Sequence, residues 1–201
     1  MSTEEPKRRV YYGSCSCQAV RYVCWLTLPA SPPYNWVDKS KPPPQMIRKC
    51  NCTQCHKRGF LHVRVADSFK DFAILSPLDD SELGRAGPSP TKSWPFCKNC
   101  GNCCFQIDGE TEIVERDLVA EGVDPVKAKI QEGKVKVLMP KAEGWQEEKT
   151  NWLRVNAMTL EARQEGFNLM EWHEKGWIQH VNWLDETGGP QYGKPYDGGA
   201  Y

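Results

Sequence analysis

The sequence lacks any apolar run longer than a few residues, which excludes a membrane-spanning helix of about 20 apolar residues. It lacks an excess of either charge, since 26 Lys and Arg balance 26 Asp and Glu. That argues against nucleic-acid binding through bulk positive charge, although a local patch stays open. The opening MSTEEPKRRV lacks the apolar stretch of a secretory signal, so the expectation is a cytoplasmic, reducing location. Long uninterrupted helical stretches are scarce as well, because 15 Pro and 16 Gly punctuate 201 residues. What is present suffices for one packed domain: 39% hydrophobic and 10% aromatic residues, with eight Trp.

Ten cysteines dominate the rest, at positions 15, 17, 24, 50, 52, 55, 97, 100, 103 and 104. In a reducing compartment clustered thiols bind metal more often than they pair. Disulfides fit poorly here, since adjacent Cys103-Cys104 and the Cys15-Ser16-Cys17 spacing bridge badly within one chain. A structural zinc takes four thiolate or imidazole ligands in a tetrahedron, commonly from two short knuckles. Cys97-Lys98-Asn99-Cys100-Gly101 is such a knuckle, with Gly101 permitting the tight turn. Cys15 and Cys17 are its expected partner, read as an i,i+2 pair on one face of an extended strand. Such a site ties the first strands to the middle of the chain.

Cys50, Cys52 and Cys55 form a second, compact half-shell with no obvious fourth cysteine. Three protein ligands and an open position are the layout of a catalytic zinc. Three thiolates on a divalent ion leave about one net negative charge, which the flanking Arg48, Lys49, His56, Lys57 and Arg58 can offset, unless that run is simply a solvated face. The open position suits a soft ligand such as a substrate sulfur. His56 or His62 as a fourth, inert ligand is the alternative. An iron–sulfur reading of Cys97, Cys100 and Cys103 lacks the register of a fourth cysteine. Cys24, Cys103 and Cys104 read as small buried apolar residues. Tyr11, Tyr12, His62, Trp94 and Trp145 can line a pocket, but read first as packing residues.

Along the chain, residues 1–9 read as a disordered terminus and 10–184 as a single zinc-binding domain. Residues 29–46 read as a proline-rich insertion and 185–201 as a Gly/Pro-rich tail. Val10–Leu28 reads as two strands around a turn, with further strands at 60–65, 69–75, 134–139, 152–155 and 178–184. Residues 76–93 read as a polar loop. Asp124 followed by Pro125 marks a helix start, and Thr159–His173 reads as a short helix broken at Gly166. The expected fold class is mainly β, antiparallel, with one or two short helices.

Three segments in order, GSCSCQAVRY at 13–22, CNCTQCHK at 50–57 and FCKNCG at 96–101, resemble the glutathione-dependent formaldehyde-activating enzyme family, also called the centromere protein V family. The resemblance covers residues 10–105, extends loosely through Trp152-Leu153-Arg154-Val155-Asn156 and Trp183, and is of the fungal type. It implies an Mss4-like β-tent with two zinc ions per chain. By motif position, Cys15, Cys17, Cys97 and Cys100 match the structural zinc ligands, and Cys50, Cys52 and Cys55 the catalytic ones. It further implies a carbon–sulfur lyase acting on glutathione or related thiol conjugates, or the reverse addition of a thiol to an aldehyde, in detoxification or secondary metabolism. A non-catalytic zinc module that binds a protein partner or a thiol is the other reading.

Overall fold

The computed structural model describes residues 5–30, 45–89, 92–147, 149, 151–184 and 191–197. In chain order the elements are β1 (Lys7–Ser14), β2 (Arg21–Leu28), β3 (Met46–Cys50), α1 (Thr53–Lys57), β4 (Leu61–Arg64), β5 (Phe72–Ser76), β6 (Leu83–Ser89), β7 (Lys92–Cys97), β8 (Phe105–Asp108), β9 (Thr111–Arg116), α2 (Pro125–Ala128), β10 (Val135–Pro140), β11 (Trp152–Asn156), α3 (Leu169–Glu174), β12 (Ile178–Val181) and β13 (Gln191–Tyr192). The strands form two sheets, ordered β1-β2-β5-β10-β9 and β13-β12-β3-β4-β11-β8-β7-β6. The fold is mainly β, as the sequence suggests. Among the described residues, the pairings between these strands are antiparallel except β12 with β3, which run parallel with Val181 beside Cys50.

The strand β2 shows why two sheets form. Its even positions, Tyr22, Cys24, Leu26 and Leu28, point into the large core shared with β4, β8 and β11. Its odd positions, Val23 and Trp25, point the other way into a second core closed by Leu118, Val123 and Ala128. Residues buried on both faces make β2 an interior layer, hence its nearly continuous apolar run. The segment around α2 is the lid on the outer face. Asp124 caps that helix, its side chain accepting from the backbone N–H of Val126 (2.9 Å) and Lys127 (3.2 Å), where Asp-Pro had marked a helix start.

Several expectations change. Lys7–Arg9 are not a disordered end; they begin β1, with Lys7 paired to Leu28. The stretch 76–93, expected as a polar loop, holds a 3-10 turn at Asp80–Glu82 and the strands β6 and β7 on either side of residues 90–91. The helix expected at 159–173 is confined to Leu169–Glu174, because Asn168 caps it by accepting from Met170 and Glu171; a 3-10 turn occupies Ala157–Thr159. The short α-helices among the described residues are thus three rather than one or two. Most of the proline-rich insertion (31–44) and part of the tail (185–190 and 198–201) lie outside the described residues. Met46, placed in the insertion, opens β3, and Gln191–Tyr192 of the tail pair with β12. No helix among the described residues is long and apolar enough to cross a membrane.

Candidate metal centres

The four-cysteine group assembles as the spacing suggests, but from a loop. Cys15 and Cys17 lie in the turn between β1 and β2 rather than on an extended strand, so strand alternation is not what aligns them. The turn is folded back by Cys15 N–H, which donates to the Val20 carbonyl (3.0 Å), and by Val20 N–H, which donates to Cys15 Sγ (3.2 Å). Gly13, just before it, faces the Tyr22 ring so closely that a Cβ there would overlap the ring. The second knuckle turns at Gly101, at φ +77°, with Gly101 N–H donating to the Cys97 carbonyl (2.8 Å). Asn102 joins the two halves, its Oδ1 accepting from Ser16 N–H at 2.8 Å. Cys15 and Cys17 Sγ are 3.5 Å apart, as are Cys17 and Cys97 Sγ. All four ligand atoms lie within 4.8 Å of one another, a group that can hold a metal ion.

Cys50, Cys52 and Cys55 form the second such group, their sulfurs also within 4.8 Å of one another. Cys50 ends β3, Cys52 is the N-cap of α1, and Cys55 lies within that helix. One tight turn therefore gathers all three, with Cys52 N–H donating to Cys50 Sγ at 3.3 Å. Hydrogen bonds from Cys55 and from the Cys52 backbone outweigh burial and hold the Cys50 thiol down at about 6, with Arg48 adding to the effect. His62 Nε2 stands 3.1 Å from Cys55 Sγ, yet His62 is not part of the mutually close ligand group. Its ring is wedged between Phe60, at a centroid distance of 4.6 Å, and Trp94, at 5.8 Å. Burial, with Arg154, Arg48 and Lys49 nearby, lowers its pKa to about 3, so the imidazole is neutral around pH 7. His56 is exposed on α1 and takes no part in the group.

The three-cysteine group opens into a cavity of about 460 Å³. Sheet register explains its lining. Arg48 pairs with His62, His62 with Asn156, Arg154 with Gln106, and Trp152 with Asp108. Directly paired residues share a face, so one face of β3, β4, β11 and β8 is polar while Ile47, Val63, Val155 and Phe105 turn into the core. Arg48, His62, Gln106, Asp108, Trp152 and Arg154 all line the cavity, and Trp183 stands at it as well. His62, Arg154 and Asp108 are each less than a tenth exposed.

Of the basic run flanking these cysteines, Arg48 lines the cavity; Lys57 is exposed, and Arg58 lies over the Trp94 ring at 5.4 Å. Tyr11 is core, Tyr12 lines a different groove, and Trp145 packs on Phe69. Cys24, Cys103 and Cys104 are buried apolar residues outside both groups, as read; burial pushes the Cys103 thiol up to about 12. The sequence reasoning missed Arg154, Gln106, Asp108 and Trp152 as site residues. For Arg154, Gln106 and Asp108 the signal is the polar–apolar alternation of LRVN at 153–156 and FQID at 105–108, which marks a strand with one polar face; Trp152 falls outside that alternation. Comparisons with protein-family models, curated proteins and solved structures found no match to this chain.

Proposed function

We propose that the chain binds two zinc ions and that the three-cysteine pocket makes or breaks carbon–sulfur bonds in thiol conjugates of the glutathione type. Four thiolates about 2.3 Å from a central zinc stand about 3.8 Å apart, and the 3.5 Å sulfur separations of the first group suit that tetrahedron. Its complete set of four sulfurs fits a structural role. The observation that carries the functional reading is the contrast at the second group: three sulfurs on the wall of a cavity lined by buried polar side chains. The motif resemblance to the formaldehyde-activating family supports the same reading.

Zinc held by Cys50, Cys52 and Cys55 would supply Lewis acidity to a substrate sulfur. In an S-hydroxymethyl conjugate the carbon–sulfur bond breaks with its electron pair passing to sulfur, the hydroxyl proton departs, and the carbon leaves as an aldehyde; thiol addition is the reverse. The protein's own contribution is positional. His62 holds Cys55 in place through its 3.1 Å contact. Arg48, whose Nε donates to Gln179 at 2.7 Å, and the buried Arg154 set fixed positive charge beside a site where negative charge develops.

The test is thiol release from a panel of glutathione conjugates, with metal content measured on the same preparation. The wild-type chain is expected to carry about two zinc per chain and to release thiol. Cys52→Ser should abolish release while keeping the four-cysteine zinc. Retained activity, or loss of both metals, would overturn the assignment. No release from any conjugate with both sites loaded would favour the partner-binding module instead.

A further inference from the structure

The strand β12 runs parallel to β3, and the ladder between them continues past the end of both strands through side chains. Asn51, which sits between the ligands Cys50 and Cys52, donates its backbone N–H to the Val181 carbonyl (3.3 Å). Its Nδ2 donates to Asn182 Oδ1 (2.8 Å), and its Oδ1 accepts the backbone N–H of Trp183 (2.8 Å). Asn51 is 2% exposed, so these bonds are shielded from water and hold the backbone at Trp183 to the metal-binding turn. Side chains at Gln179, Val181 and Trp183 follow the alternation that puts Arg48 and Cys50 on the cavity face.

Trp183 is the exposed residue among the described tryptophans, at 60%. It nevertheless lines the three-cysteine cavity, as does Trp152. An indole that is fixed at its backbone, left open to water and placed next to a soft-ligand site has one evident use. Its face can be covered by a flat group attached to the sulfur that enters the site.

We infer that Trp183 is a specificity-determining residue that selects thiol compounds whose sulfur substituent is planar and aromatic over aliphatic ones of the same size. This rests on the reading of the pocket as a thiol site. Asn51 is its positioning residue, coupling the wall to the turn that carries the metal ligands.

The experiment compares binding of phenylmethanethiol and cyclohexylmethanethiol to the zinc-loaded chain by calorimetry. The two share a sulfur and a carbon count and differ in flatness. The quantity read is the ratio of the two affinities, in the wild type, in Trp183→Ala and in Trp183→Phe. The aromatic preference should fall about threefold to tenfold in Trp183→Ala, the range expected for one aromatic pair, and survive in Trp183→Phe. Metal content and circular dichroism of each variant check that the fold is kept. A ratio that does not move in Trp183→Ala, or failure of both thiols to bind, overturns the inference. Thiol release from S-(hydroxymethyl)glutathione and S-(hydroxy(phenyl)methyl)glutathione, whose carbon can leave as an aldehyde, is read separately: no release from either with the preference intact would overturn the lyase reading and leave the aromatic wall standing.

Discussion

Cys55 Sγ and His62 Nε2 stand 3.1 Å apart, one on α1 and the other on β4. The contact ties the three-cysteine turn to the polar face of the large sheet. His62 cannot swing away, since Phe60 and Trp94 flank its ring. A neutral imidazole beside one sulfur of a group that can hold a metal fixes that sulfur without itself belonging to the group, and outer partners of this kind tune metal affinity.

His62→Ala is therefore expected to weaken zinc at the three-cysteine site about tenfold to a hundredfold, leaving the four-cysteine site as it was. Competition against a chromophoric chelator, which resolves the two equivalents, measures this. Equal affinity in the variant would reduce His62 to a packing residue.

The two sites should also differ in lability. The four-cysteine group joins the β1–β2 turn to the end of β7, segments some 80 positions apart, so losing its metal removes a long-range cross-link. The three-cysteine group draws its ligands from one short turn beside an open cavity. Mild chelation is expected to remove about one zinc per chain, abolish turnover and leave the β circular-dichroism signal intact; harsher chelation then unfolds the chain. Metal loss and unfolding that coincide at every chelator concentration would contradict this division.

Asn156, 3% exposed, gives a third prediction. Its Oδ1 accepts from Leu61 N–H (3.1 Å) and Met158 N–H (3.2 Å), and its Nδ2 donates to the Cys103 carbonyl (3.0 Å). One side chain thus satisfies backbone groups of three segments that meet at the core. Asn156→Leu strands the Leu61 N–H and the Cys103 carbonyl in the interior at about 1–3 kcal/mol for each group left without a partner, and removes the part-buried bond at Met158. We expect about 3 kcal/mol or more of lost stability, read as a lower urea midpoint at unchanged slope. A loss under about 0.5 kcal/mol, the ordinary surface range, would show that the backbone finds other partners.

The sequence by itself determined the cysteine groups and the strand character. Thiolate chemistry and short spacing are local facts, and so is the Asp-Pro start of α2; Cys97, Cys100 and Gly101 make their knuckle wherever the chain takes them. The tertiary structure decided which polar residues face the second site. Arg48, His62, Arg154, Gln106 and Asp108 come from four strands, and only the pairing register puts them on one face, because a slip of one residue would turn each of them into the core. Asn102 and Asn51 became visible the same way. Each bridges segments far apart in sequence, and a hydrogen bond between distant segments leaves no trace in local composition.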